Sequence, residues 1–188
     1  MKLLLVDNHD SFVYNIFQMI RVMGHDPVVI QNDSLGGIEE NYDRVILSPG
    51  PGNPENSKDS GELFQYLRNG EYGLVLGICF GHQALGKFLG SSIKPAPSLM
   101  HGEIDAIVHN GGTLFNGVPR EFRSVRYHSL VISHSQNIVE DAVSASDGSM
   151  MAFHSRNGRF YGVQCHPESF YSEFGNVIVR NFLEATDT

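Results

Sequence analysis

The 188-residue chain is short of positive charge, with 13 lysines and arginines against 21 aspartates and glutamates and a formal net charge of −8. Without a basic field to attract phosphates, a nucleic-acid or anionic-membrane surface is not expected, and the acidic surplus serves solubility. Long hydrophobic runs are also missing. No stretch approaches a membrane span, and the opening MKLLLVDNHD reaches the acidic Asp7 before the apolar core of a secretory leader is complete. A cytoplasmic protein is therefore expected. Cysteine is scarce: Cys79 and Cys165 lie far apart, so a disulfide framework is not expected in a reducing compartment, and each thiol needs its own explanation. Internal repeats, low-complexity tracts and linkers are absent. A length of 188 residues and 41% hydrophobic content suit a single domain, 1–188, with one sizeable core.

What the first half does contain is an alternation of short apolar runs with helical patterns. LLLVD (3–7), PVVIQ, RVILSPGPG and GLVLGI read as buried strands, and SFVYNIFQMIRVMG reads as a helix after the first of them. This alternation predicts an α/β fold with a central, mostly parallel sheet flanked by helices. In the first helix Phe12, Ile16, Ile20 and Met23 recur at near-helical spacing, with Ser11 a candidate N-cap and Gly24 a candidate stop. Another helix is expected over about residues 80–89. From His101 onward, shorter strands predict antiparallel additions, with hairpins around Asn110-Gly111 and Asn157-Gly158. EFGNVIVRNFLEA reads as a closing helix that offers Val177, Ile178 and Phe182 to the core. PGNPENSKDSG (51–61) is the longest polar loop.

Parallel sheets bind ligands at the carboxyl ends of their strands, and DNHDSF, SPGPG and Cys79 all fall there. Cys79 stands where an apolar run ends and a helix begins, beside unpaired N–H groups and a positive dipole end that favour a thiolate. The competing reading is a packed core thiol. In QCHPES, His166 and Glu168 are two apart in a stretch expected to be extended, so both project to one side and Glu168 can orient the imidazole. Alone, that pair reads equally as a solvated loop. Nucleophile, base and orienting carboxylate together follow the logic of serine and cysteine hydrolases. In SPGPGNP (48–54), Gly50 and Gly52 allow close backbone approach to a ligand. Pro51 has no N–H to give, so the N–H groups of Gly52 and Phe80 are the candidate oxyanion donors. Without the other two elements this motif is an ordinary glycine-proline turn.

Taken together and in this order, GICFGHQALG, GVQCHPES and SPGPGNP resemble the nucleophile elbow, the histidine-glutamate motif and the glycine-rich loop of triad-type class I glutamine amidotransferases. The resemblance covers essentially the whole chain and implies that family's flavodoxin-like fold, with Cys79, His166 and Glu168 as the catalytic triad. It places Gly50, Pro51, Gly52 and Gln83 at glutamine-contact positions. DNHDSFVYN (7–15) and RYHSLVI (126–132) look like the branch that serves as the small subunit of anthranilate synthase and aminodeoxychorismate synthase. By that likeness Ser129 and Leu130 hold the glutamine backbone. His9 and Cys165 depart from the branch's pattern, Cys165 standing where phenylalanine is usual. An extended segment would point Cys165 away from His166, so it is assigned to packing.

The resemblance implies glutamine as substrate and no cofactor in this chain. It also implies a partner, the larger chorismate-using synthase subunit, which would carry magnesium. NHDSFVYN and the strand-end loops are the favoured docking surface, with Asp10, Ser11 and Tyr14 at the site mouth; an ordinary helix cap is the plainer reading. The nine histidines contain no two-histidine helical pair and no CxxC accompanies them, so no metal site is expected. His82 is assigned to local structure, whereas His128 fits packing or the site. Two alternatives remain open, a stand-alone cysteine γ-glutamyl hydrolase and a catalytically silent regulatory subunit. Which aminated ring the partner makes is not written in a pocket that sees only glutamine.

Overall fold

The first strand, β1 (Leu3–Asp7), is apolar on both faces. Leu3 and Leu5 enter one hydrophobic cluster, while Leu4 and Val6 enter another. A strand covered on both sides requires helices on both sides. α1 (Val13–Val22) and α4 (Gly175–Glu184) bring Ile16, Ile20, Ile178 and Phe182 to the first cluster. α2 (Ser60–Asn69) and α3 (Phe80–Phe88) bring Leu63, Leu67, Ala84 and Leu85 to the second. The structure, a computed structural model, describes residues 1–38, 40–55, 60–98 and 100–186. The expected polar loop therefore lies partly outside the described residues, at 56–59.

β2 (Val28–Gln31), β3 (Tyr42–Leu47), β4 (Tyr72–Ile78) and β11 (Phe160–Val163) run parallel to β1. β6 (Glu103–His109), β7 (Glu121–Arg126), β9 (Ile138–Ser144) and β10 (Met150–Ser155) extend the same sheet in antiparallel fashion. The order across the sheet is β2-β1-β3-β4-β11-β10-β9-β6-β7, and β5 (Ile93–Pro95) pairs separately with β8 (Leu130–Ile132). The parallel half has the flavodoxin-like order, whose ligand crevice lies at the carboxyl strand ends where the winding reverses, between β1 and β3. No helix among the described residues is long and apolar enough to cross a membrane.

Three local expectations are revised. Ser11 does not cap α1. The helix begins two residues later, Phe12 holds the cap position, and Asp10 Oδ1 accepts the Phe12 N–H at 2.7 Å. At the other end Gly24 is the stop: Gly24 N–H donates to the Arg21 carbonyl at 3.0 Å and His25 N–H to that of Ile20 at 3.2 Å. Asn157-Gly158 joins β10 to β11 as a hairpin, but Asn110-Gly111 does not form a tight one. β6 and β7 do pair, yet residues 110–120 between them make a longer excursion with a 3₁₀ turn at Thr113–Phe115. Tertiary contacts draw it out. Asn110 N–H donates to the Asp141 carbonyl at 2.8 Å, and Asn181 of α4 donates to the carbonyls of Leu114 and Asn116 at 2.9 and 2.8 Å. The third revision concerns His166 and Glu168 and belongs to the site.

Candidate active site

Four strand ends of the parallel half, those of β1, β3, β4 and β11, supply the site. After β1, Asn8 N–H donates to Ser48 Oγ at 2.9 Å and the Asn8 side-chain amide donates to the Ser48 carbonyl at 2.7 Å. These bonds tie the β1 loop to the loop after β3. The two run so close that a Cβ at Gly50 would stand 2.7 Å from the Asn8 carbonyl oxygen, so glycine is required there.

β4 ends one residue before Cys79 and α3 begins one residue after it. Turning from strand to helix with no intervening loop forces Cys79 to φ 51°, ψ −101°, a setting that a residue with a Cβ reaches only under strain. α3 also lies tight on β3, where a Cβ at Gly81 would meet the Leu47 carbonyl oxygen at 2.5 Å. The thiol is thereby held at a helix N-terminus whose dipole favours an anion. Phe80 N–H, the first of α3, has no intrahelical acceptor.

His166 follows β11, the sheet neighbour of β4. It does not lie in an extended stretch: Ser169 N–H donates to the His166 carbonyl at 3.1 Å and closes a turn. The turn curls Glu168 back onto the ring. A carboxylate only accepts, so His166 Nδ1–H donates to Glu168 Oε1 at 2.7 Å, with both side chains buried. Burial by itself would lower the pKa of His166. The Cys79 sulfur and then the Glu168 carboxylate outweigh that effect and hold it well above the ordinary imidazole range. Nε2 has no hydrogen-bond partner of standard geometry among the described residues, which leaves it for the thiol. Cys165 is buried among apolar residues, and burial pushes its thiol pKa up.

A cavity of about 170 Å³ opens beside Cys79. Every residue expected at a glutamine site lines it: Gly50, Pro51 and Gly52 from the loop after β3, Phe80 and Gln83 from α3, and Ser129 and Leu130 from the segment after β7. Gln83 Nε2 donates to the Leu130 carbonyl and to Gln164 Oε1, each at 3.1 Å. A larger and more open cleft of about 630 Å³ between the 111–117 loop and α4 holds none of these groups. Among the described residues no group of three or more His, Cys, Asp or Glu side chains is placed to hold a metal ion.

Two aromatic residues belong to the site although their spacing or setting did not mark them. Phe12, first of the series at near-helical spacing, is 38% exposed. Its ring stacks on Tyr127 at 6.2 Å, and Phe12 and Tyr127 lie edge-on to His166 at 6.2 and 5.1 Å. Tyr127 and His128 also line the cavity. The available signal was their place inside DNHDSF and RYHSL, not their periodicity. Asp10 does lie near the mouth, close enough for His166 and Glu168 to act on its charge, while burial raises its pKa.

A strained thiol, an imidazole held by a carboxylate and a small cavity, gathered at the carboxyl ends of the parallel strands, are the groups that acyl transfer through a cysteine requires. The chain belongs to the class-I glutamine amidotransferase family, whose sequence model matches residues 4–186. Anthranilate synthase component 2 of Saccharolobus solfataricus is 43% identical over 190 residues, covering 96% of each chain. Aminodeoxychorismate synthase of Streptomyces griseus is 39% identical over 191 residues, which is 100% of this chain but 26% of that longer protein. Among solved structures, a Thermoplasma acidophilum protein provisionally assigned to GMP synthase matches with a TM-score of 0.86 at 26% identity, covering 97% of this chain and 92% of that one.

Proposed function

We propose that this chain is the glutaminase component of a chorismate-using synthase, releasing ammonia from glutamine for anthranilate or 4-amino-4-deoxychorismate synthesis. The observation that carries the reading is the Cys79, His166 and Glu168 arrangement beside a cavity lined by the expected glutamine-contact residues. Cys79 attacks the side-chain amide carbon of glutamine as a thiolate paired with the His166 imidazolium. The tetrahedral oxyanion sits between the N–H groups of Gly52 and Phe80, where losing one donor costs roughly 3 kcal/mol of transition-state stabilisation. His166 protonates the departing ammonia and then, as base, activates the water that hydrolyses the γ-glutamyl thioester. Glu168 keeps the imidazole oriented and its cation favourable throughout.

Ammonia is useful only where an acceptor waits, so the chain works in this reading with a cytoplasmic synthase subunit that holds chorismate and magnesium. The docking face is the rim of the site. Phe12 lies edge-on to His166, and Phe170 and Tyr171 follow the 166–169 turn; all three are exposed, Phe170 at 96%, and such exposed aromatic surface suits a protein partner. The test is glutamate release by the chain alone and with each candidate synthase plus chorismate, with the aminated product identified. Amination of chorismate at the expense of glutamine is the expected result, and the product names the pathway. Turnover that no synthase alters, with no aminated product, would favour the stand-alone hydrolase.

A further inference from the structure

Beneath the Ser129–Leu130 edge of the cavity lies a buried polar stack centred on Arg126, whose side chain is 0% exposed. Its Nη1 donates to Asp105 Oδ2 at 2.6 Å and to Ser144 Oγ at 2.8 Å, and Nη2 donates to Asp147 Oδ2 at 3.0 Å. Ser144 and Ser146 hydroxyls donate to the same Asp105 oxygen at 2.6 and 2.9 Å. A fourth donor, Nε–H, is directed at His128 Nε2 at 3.0 Å. A guanidinium has donors only, so His128 Nε2 must be the bare, accepting nitrogen. The ring proton is consequently on Nδ1, and Nδ1–H donates to the Leu130 carbonyl at 2.9 Å. Burial, and then the Arg126 charge, push the His128 pKa down to about 4, in keeping with a neutral ring.

The Leu130 carbonyl therefore accepts twice, from His128 and from Gln83. Its neighbour's carbonyl is engaged elsewhere, since Ala96 N–H donates to Ser129 O at 2.8 Å. In the β5–β8 pairing Leu130 stands opposite Pro95, between hydrogen-bonded positions at Ser129 and Ser133. Its own N–H and C=O thus face away from β5. With both carbonyls engaged, the segment has N–H and hydroxyl groups left to offer a ligand, and these suit an anionic α-carboxylate.

Resting on the glutaminase reading, we propose that His128 is a positioning residue for substrate: Arg126 fixes its tautomer, and the Nδ1–H bond to the Leu130 carbonyl sets the peptide that receives the glutamine backbone. Two near-isosteres separate the two bonds. His128→Asn places an amide N–H where Nδ1 was and keeps the Leu130 bond, whereas His128→Gln places an oxygen where Nε2 was and keeps only the Arg126 bond. Both are assayed in the assembled complex with its synthase. His128→Gln should raise the KM for glutamine about tenfold with kcat and ammonia-dependent synthesis little changed, as expected for one lost orienting hydrogen bond. His128→Asn should stay within about twofold of the parent KM. Equal KM changes in the two variants, or a fall in kcat in place of a KM rise, would overturn the proposal. Because either variant could fail to fold, the unmodified chain supplies a second measurement: nitrogen-15 NMR of the His128 ring should show a protonated Nδ1 and a bare Nε2, and the opposite tautomer overturns the relay. Absence of any glutamine turnover by the parent complex rejects the glutaminase reading and the proposal together, whereas normal parent turnover with indistinguishable variants rejects His128 alone.

Discussion

Cys79 and His166 come from neighbouring strands of one sheet, β4 and β11, yet they are held by different means. Cys79 is placed by backbone. The strand-to-helix turn forces its positive φ, and the close approach of Gly81 to Leu47 leaves the turn nowhere else to go. From β11 across to the antiparallel strands the placing is done by buried polar side chains. Glu168 holds His166, and Arg126 with Asp105 and Asp147 holds His128 under the cavity edge. A backbone-held group depends on sterics. A group held by buried charges depends on each partner being present and correctly protonated, so the two sides of the site should fail differently.

The largest expected effect is on the thiol. Cys79→Ser should lower glutamine-dependent synthesis by at least about 10³-fold, because a hydroxyl in a site built for a thiolate is a poor nucleophile. Ammonia-dependent synthesis by the complex should survive, and chemical denaturation should show near-parent stability. Undiminished glutamine-dependent activity would remove Cys79 from the mechanism.

Next comes the buried cation. Arg126→Met strands Asp105 and Asp147 without their counter-charge and should cost about 3–5 kcal/mol in urea unfolding, as breaking one partner of a buried pair usually does. A loss below about 1 kcal/mol would mean that the antiparallel side is held by packing after all.

A smaller effect is graded by pH. His128 is driven down to about 4 and His82 to about 3, in both cases chiefly by burial, while the unfolded chain titrates near 6.5. Below about pH 6.5 the unfolded state therefore binds more protons than the folded one, and stability falls as pH drops towards 4, by up to roughly 1.4 kcal/mol per pH unit for each histidine. His166, with a raised pKa, acts in the opposite sense: its stabilisation is complete well below about pH 6.5 and is lost only as pH rises towards its folded pKa, so it changes little between about pH 6 and 4.5. Asp105 and Asp147 have lowered pKa values, and their contribution is lost only below the ordinary carboxylate range of about 4. Urea unfolding at pH 6 and pH 4.5 measures the slope, and His128→Asn should remove one histidine's share of it. An unchanged slope would contradict a neutral, buried His128.

The smallest effect separates the two thiols. Cys165→Ser should leave glutamine turnover within about twofold and cost roughly 1 kcal/mol of stability, since a small apolar group is exchanged for a hydroxyl in a buried setting. Preferential alkylation of Cys165 by a glutamine-like chloroketone would exchange the roles given to the two cysteines.

Much of this was legible in the chain itself. LLLVD, PVVIQ, RVILSPGPG and GLVLGI became β1 to β4, the helices after β1 and Cys79 fell where periodicity put them, and Gly24 ended α1 as its position implied. The residues expected to line a glutamine site do line one cavity. Each of these features is decided locally, by side-chain period, by a glycine at a turn, or by a motif whose parts are a few residues apart. The revised expectations are of two kinds, local turn geometry at Ser11 and Glu168 and distant partners elsewhere. Asn110-Gly111 was drawn out of a hairpin by Asp141 and Asn181, and Phe12, though in series with Ile16 and Ile20, turned its ring towards Tyr127 and His166. Glu168 reached His166 through a turn where an extended segment was expected. The sequence by itself determined the elements, the thiol at a strand end and the imidazole-carboxylate pair. Only the tertiary structure decided that β11 lies beside β4 and that Arg126 meets Asp105, Asp147 and His128. A buried charge is tolerable only where partners from separate strands converge on it, and that convergence has no local signature in the chain.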